Sequence, residues 1–469
     1  MAEKNKAEQL KDNLFYKRTN GLIAADDATI KAAFDFCEDY KAFLDASKTE
    51  RESVTEIIAR AEAKGYVPFD RNAEYKAGDK VYYNNRGKSI ILSTIGTDPV
   101  DSGVRIAAAH VDSPRLDLKP NPLYEESELA LFKTHYYGGI RKYQWVAIPL
   151  SLHGVIVRKD GTAVDVCIGE DAGDPVFVIS DLLPHLAAEQ SKRKLEDGIR
   201  GEELNVIVGS MPFREDETSE AVKLNILKIL NEKYGIVEED FLSAELEIVP
   251  AFKATDVGLD RSLVGSYGHD DRVCAYPALQ AEFDAVMPKK TTVTILTDKE
   301  ETGSDGNTGL NSAYLKYFVH DLAKMQSATD GTLALSNSEC LSADVNAGFD
   351  PTFPDVMERR NASFLNYGAV ITKYTGSRGK GGTSDASAEF VGRVRKILDS
   401  DGVKWQTGEL GKVDAGGGGT VAKYIANLGV DVVDLGVPVL SMHAPFELVS
   451  KLDVYMAYRA FKAFYEYQD

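Results

Sequence analysis

The chain is poor in sulfur and in imidazole. Its 469 residues include only four cysteines, Cys37, Cys167, Cys274 and Cys340, and no two are spaced as a CxxC pair. That excludes a dense disulfide framework and a thiolate cage around zinc, and it fits a reducing cytoplasm. Seven histidines (His110, His135, His153, His185, His269, His320 and His443) must serve any metal site, together with carboxylates. No apolar run reaches the roughly 18 residues that span a bilayer, so no membrane partner is expected. The opening MAEKNKAEQLKDNLFYKRTNG has no apolar stretch and does not read as a secretory signal. There is no internal repeat of fixed period and no low-complexity linker. Positive charge is in deficit, with 54 Lys+Arg against 73 Asp+Glu and a net charge of −19. Such a surface repels nucleic acid and anionic lipid. What remains is ordinary globular composition, 43% hydrophobic and 27% charged, in a chain long enough for roughly two to four domains.

The first 65 residues read as helical. Phe36, Tyr40, Phe43 and Leu44 share one face, and Thr49-x-x-Glu52 is a capping box ahead of Val54, Ile57, Ile58 and Ala61. Strands follow at Ser89–Ile95 and Val104–Val111. Between about Leu116 and Ile248 the texture changes to short β-branched runs broken by Gly, Pro and Asp. Helical patterns are expected there in the second half of VFVISDLLPHLAAEQSKRKLED and in LNILKILNEKYG. Beyond Ile248, TTVTILT (291–297) and VVDLGVPVL (432–440) are apolar enough for central strands of a helix-covered sheet. Val273–Met287 and the C-terminal stretch from Leu452 read as helices. Strands alternating with helices on both sides of a β-rich segment predict one α/β domain with a second domain inserted.

Candidate chemistry gathers where apolar strands end. Ala109-His110-Val111-Asp112 places imidazole and carboxylate on the same side of a strand, the pairing by which a carboxylate orients a metal-binding histidine. Gly268-His269-Asp270-Asp271 sets two carboxylates at a helix mouth, where they could cap the helix or bridge cations. Lys299-Glu300-Glu301 closes TTVTILT. Burying two adjacent glutamates is costly unless a cation compensates, with one as ligand and the other as proton acceptor. Asp344 lies in the small, apolar SADVN segment, and His443 closes VVDLGVPVL. Each motif alone also fits an ordinary turn, cap or solvated loop. Together they place ligands at several strand ends, where open α/β sheets bind them. Two histidines and several carboxylates suit zinc or another divalent transition metal, with enough carboxylates for two ions sharing a bridging Asp.

His-x-Asp-Ser-Pro, Asp-Asp, Glu-Glu-x-Gly-Ser, Ser-Ala-Asp and Met-His, in this order, resemble the aminopeptidase I/aspartyl aminopeptidase family of dizinc metallopeptidases. The resemblance covers essentially the whole chain, including ASAEF and LGVPVLSMH. It implies a zinc-exopeptidase-type mixed sheet covered by helices (1–115 and 249–469) with an inserted, mostly β dimerisation domain (116–248). It implies two divalent ions per subunit, zinc with Co2+ or Mn2+ as alternatives. His110 and His443 are then ligands of different ions, Asp270 the bridge, and Glu301 and Asp344 the remaining ligands. Glu300 is the general base and Asp112 the carboxylate that orients His110. Asp271 stands where many members have Asn and receives no ligand role. His185, in Pro184-His185-Leu186, would reach a neighbouring subunit's site and stabilise an oxyanion. The resemblance further implies dimers assembled into a tetrahedral dodecamer acting on peptides.

HYYGGIRKYQW and SRGKGGTSDAS resemble the branch that favours neutral or hydrophobic N-terminal residues. Lys373, Arg378 and Lys380 leave an acid-specific enzyme as an alternative, and a non-catalytic metal-binding assembly is a second. GGGGT at Gly416–Thr420 reads as a backbone-lined wall near the site. It does not satisfy the phosphate-loop pattern.

Overall fold

The computed structural model describes residues 5–326 and 331–468. Its N-terminal part is helical because its caps and apolar faces agree. The Thr49 hydroxyl accepts the Glu52 amide at 3.2 Å, and the Glu52 carboxylate accepts the Thr49 amide at 3.1 Å. This capping box opens helix Glu50–Ala63, which buries Val54, Ile57 and Ala61. Helix Asp27–Ala46 buries Tyr40, Phe43 and Leu44.

Nine strands form the central sheet. Their spatial order is Val67–Pro68, Lys80–Asn85, Ser89–Thr94, Thr292–Thr297, Arg105–His110, Glu339–Ser342, Asp431–Gly436, Ala369–Thr372 and Trp405–Thr407. The four strands from Thr292–Thr297 to Asp431–Gly436 are mutually parallel. They are buried almost throughout because both faces are covered. Ala107 and Ala109 enter the core shared with Asp27–Ala46, Glu50–Ala63, His269–Asp284, Ala388–Ser400 and Lys451–Glu466. Ile106 and Ala108 enter the opposite core, beneath Tyr314–Gln326, Thr332–Ser336 and Ala422–Ala426.

Arg115–Glu126 and Ala244–Pro250 bound a six-stranded sheet. Its order is Ala163–Ile168, Leu150–Val157, Ala244–Pro250, Arg115–Glu126, Leu129–Tyr137 and Val206–Gly209. All its pairings are antiparallel. Leu116, Phe132, Trp145, Leu150 and Ile248 give it a core of its own. A third sheet of five short strands runs Thr255–Val257, Leu263–Ser266, Glu447–Ser450, Pro438–Leu440 and Asn346–Ala347.

Two expectations fail. VVDLGVPVL is not one strand: Asp431–Gly436 belongs to the central sheet and Pro438–Leu440 to the five-stranded one. Pro438 cannot donate to a ladder and suits a strand start. A Cβ at Gly436 would lie 1.7 Å from the Asp344 carbonyl oxygen, so the close approach requires glycine there. The segment 181–198 is not an α-helix but turns with 3-10 pieces at Gln190–Lys192 and Leu195–Asp197. Leu182, Leu183, Leu186 and Leu195 are exposed, so no buried stripe holds a helix in place.

Candidate metal centre

The carboxyl ends of the parallel strands converge. Arg105–His110 ends in His110, and Thr292–Thr297 runs into the turn Glu300–Thr302. Glu339–Ser342 leads to Asp344, and Pro438–Leu440 to His443. Asp270 stands at the entry of helix His269–Asp284 with non-helical backbone angles, and its peptide bond to Asp271 is cis. Lys299, Ser441 and His443 adopt left-handed backbone angles that aim the flanking side chains.

Asp270 lies between the two histidines. Its Oδ1 is 3.1 Å from His110 Nε2 and its Oδ2 is 3.1 Å from His443 Nε2. Glu300 Oε2 lies 3.8 Å from His110 Nε2, and Glu301 Oε2 lies 3.6 Å from His443 Nε2. Donor atoms of His110, Asp270 and Glu301 lie within 4.8 Å of one another, as do those of His110, Asp271 and Asp344.

Neighbouring groups aim these donors. Asp112 Oδ1 faces His110 Nδ1 at 3.3 Å, and the Asp112 carbonyl is 3.0 Å from the same nitrogen. The Asp112 carboxylate also accepts the amides of Glu300 and Glu301, both at 3.2 Å, and the Tyr137 hydroxyl at 2.8 Å. His443 Nδ1 donates to the Gly139 carbonyl at 2.7 Å. Glu447 accepts the amides of His443 at 2.7 Å and Asp270 at 3.2 Å.

The electrostatics favour a cation. Burial, reinforced by neighbouring carboxylates, pushes Glu301, Asp344 and Asp271 well above the usual range. The same causes raise Glu300 to about 7. Burial also acts against Asp270, but the imidazoles of His110 and His443 that face it outweigh burial and hold Asp270 low. Burial opposes charge on both histidines. Asp112 and Asp270 overcome it on His110, and Asp270 and Glu301 raise His443 to about 10. Among the described residues, His110 Nε2, Glu301 Oε1 and Asp271 Oδ1 are buried without a hydrogen bond. Orphaned donor atoms amid crowded carboxylates fit divalent cations, which relieve both costs.

A cleft of about 440 Å3 opens over these residues, walled by Val345, Leu410, Met442, Tyr424 and the backbone of Gly417–Gly419. The glycine run is thus a wall, as expected. Lys423 is the basic residue lining this cleft. Arg378 and Lys380 line an adjoining one, where Lys380 pairs with Asp385 at 3.1 Å. The structure brings His110, Asp112, Asp270, Glu300, Glu301, Asp344 and His443 together. His185 lies on an exposed turn and in neither donor cluster. Glu447 went unnoticed in the sequence, where nothing marks an acceptor that works through backbone amides. The segment HYYGGIRKYQW contains Tyr137 and Gly139 but does not show that they hold Asp112 and His443. Asp271 had a signal, the Asp-Asp doublet.

Histidines and carboxylates at strand ends, with a spare half-buried glutamate beside them, define a metal-dependent hydrolase centre. Residues 43–465 match the family described as aminopeptidase I zinc metalloprotease (M18). The probable M18 family aminopeptidase 1 of Clostridium acetobutylicum is 52% identical over 460 residues, covering 97% of this chain and 99% of its own. The crystal structure of an M18-family aminopeptidase from Thermotoga maritima matches with a TM-score of 0.92 at 47% identity, covering 96% of this chain and 99% of that one. A Saccharomyces cerevisiae mApe1 dodecamer shares the fold at 20% identity and a TM-score of 0.75, covering 93% of this chain and 97% of its own. The chain belongs to the M18 family and is a zinc-dependent aminopeptidase.

Proposed function

We propose that His110, Asp270, Glu301, Asp344 and His443 hold two zinc ions, with Asp270 shared, and that Glu300 is the general base. The observation that carries this reading is Asp270, whose two oxygens each face a different histidine at 3.1 Å. Bound zinc would supply an acidified water and polarise the first peptide carbonyl. The chain's own residues do the rest. Glu300, whose Oε2 lies 3.8 Å from His110 Nε2, accepts the water's proton and returns it to the leaving amine. Asp112 fixes the His110 ring and, through two amides, the glutamate turn. The carboxylate-rich floor anchors the free amine of the substrate, which confines cleavage to its first residue.

The apolar wall of Val345, Leu410, Met442 and Tyr424 supports a preference for neutral or hydrophobic N-terminal residues. Lys423 in the same cleft supports the acid-specific alternative. We assign residues 116–248, which contain most of the six-stranded sheet, as the dimerisation domain of a tetrahedral dodecamer. The exposed Leu182, Leu183, Leu186 and Leu195 support an interface beside His185, which would serve a partner's site. The dodecameric mApe1 of the same fold supports the assembly. A cytoplasmic location fits four unpaired cysteines, and no helix among the described residues is long and apolar enough to cross a membrane.

Metal counting and an amide panel test the reading. Two divalent ions per chain at the His110–Asp270–His443 centre, and faster cleavage of Leu and Met than of Asp and Glu amides, are expected. Fewer than one ion per chain overturns the dinuclear centre, and cleavage of acidic amides alone overturns the specificity.

A further inference from the structure

A second donor cluster lies outside the metal centre, where helix Glu50–Ala63 meets the six-stranded sheet. Strand Leu150–Val157 pairs with the edge strand Ala163–Ile168, placing His153 opposite Cys167. Residues directly opposed on paired strands share a face. His153 Nδ1 lies 2.6 Å from Glu52 Oε1 and 3.8 Å from Cys167 Sγ. The three donor atoms lie within 4.8 Å of one another.

The surroundings are arranged as they are around a metal-binding histidine. On the far side of the ring, Nε2 is 2.9 Å from Ser151 Oγ and 3.3 Å from Glu170 Oε1. Ser151 gives its one proton to Glu170 at 2.9 Å, so it accepts from Nε2–H. Nδ1 then shares a proton with Glu52 at 2.6 Å and faces Cys167, so a metal at this nitrogen would take that proton's place. A histidine whose outer nitrogen donates towards a carboxylate while the inner one faces further donor atoms is the arrangement that orients metal ligands. Glu170 is itself held by Lys48 and Lys253, each at 2.7 Å, so it orients and does not ligate. Glu52 is equally fixed: its Oε2 accepts the amides of Lys48 and Thr49, both at 3.1 Å, which turns Oε1 to His153. His153 is buried, while Cys167 is an exposed free thiol, so solvent reaches the cluster from one side.

We infer that Glu52, His153 and Cys167 form a further zinc site, completed by a water, that clamps helix Glu50–Ala63 to the edge of the six-stranded sheet. One imidazole, one thiolate and one carboxylate are zinc's usual donors. Tetrahedral bonds of about 2.0–2.3 Å put ligand atoms roughly 3.3–3.7 Å apart, close to the S–N spacing here. The Nδ1–Oε1 pair must open as the metal displaces the shared proton. On binding, the proton shared by His153 and Glu52 and the Cys167 thiol proton both leave to solvent, and the thiolate and the Glu52 carboxylate balance the two positive charges.

The test is cobalt substitution of the full-length protein. The main centre as read above uses only nitrogen and oxygen donors, so a thiolate-to-cobalt charge-transfer band in the near ultraviolet reports this second site alone. Wild type should show the band. Cys167→Ser and Cys167→Ala should each lose it together with one cobalt per chain, while aminopeptidase activity is unchanged. Wild type without the band, or a band that persists in both variants, overturns the proposal.

Discussion

His110 and His443 approach the same carboxylate from opposite sides, yet they are held very differently. His110 is fully buried, ends a strand of the central sheet, and has its ring set by Asp112 two residues on. The His443 side chain is 34% exposed, sits on a left-handed turn, and leans on the Gly139 carbonyl. Gly139 lies between Leu129–Tyr137 and Leu150–Val157, both strands of the six-stranded sheet. One half of the centre is therefore intrinsic to the central sheet. The other half depends on how the six-stranded sheet seats against it.

Glu300, 3.8 Å from His110 Nε2, should show the largest effect. Glu300→Gln is expected to lower kcat by about 10²–10⁴-fold with metal content unchanged. Near-wild-type turnover would remove Glu300 from the mechanism. Asp112→Asn attacks the His110 half and should weaken metal binding by about 10–100-fold, measured against a competing chelator. The His443 half should respond more mildly. Gly138 has φ +72°, and a Cβ there would sit 3.2 Å from Glu301 Oε2. Gly138→Ala should cost a few-fold in metal affinity, less than Asp112→Asn. The reverse ranking would break the comparison.

The smallest effect is on stability. Without metal, the folded protein raises Glu300 to about 7 and Glu447 to about 8, chiefly by burial. It therefore binds more protons than the unfolded chain from about pH 4 upwards, and each such carboxyl makes stability fall as pH rises to about 8. His443 has the same sign. Burial opposes its charge, Asp270 overcomes it, and the stability gained is complete below about pH 6.5 and lost towards pH 10. The Tm of the zinc-free protein should fall between about pH 5 and 9, while the zinc-loaded Tm changes less because cations replace those protons. Equal slopes in the two forms would contradict a cation-compensated centre.

Much of this was legible because strand ends are legible. An apolar run closed by His110, Glu300-Glu301 or His443 states both where a strand stops and what it carries. Glu447 was not, since its work is done through the amides of His443 and Asp270, and an amide leaves no mark in a sequence. His153 was invisible for a related reason: its partners Glu52 and Cys167 come from a helix and a neighbouring strand, so no spacing motif joins them. The sheet change inside VVDLGVPVL is decided by the space at Gly436, which hydropathy does not measure. The helix expected near His185 failed because a helical pattern needs a surface to bury against, and within one chain those leucines have none.

The Asp270–His443–Glu447 contacts have a consequence for how the enzyme is made. The proposed donors run from residue 110 to residue 443, and the strand that carries Glu447 pairs both with the strand before Asp270 and with the strand before His443. A chain still emerging from the ribosome lacks the last of these pieces and cannot present a complete donor set. With that donor set, activity begins only when nearly the whole chain has folded, and a half-made copy cannot trim peptides around it.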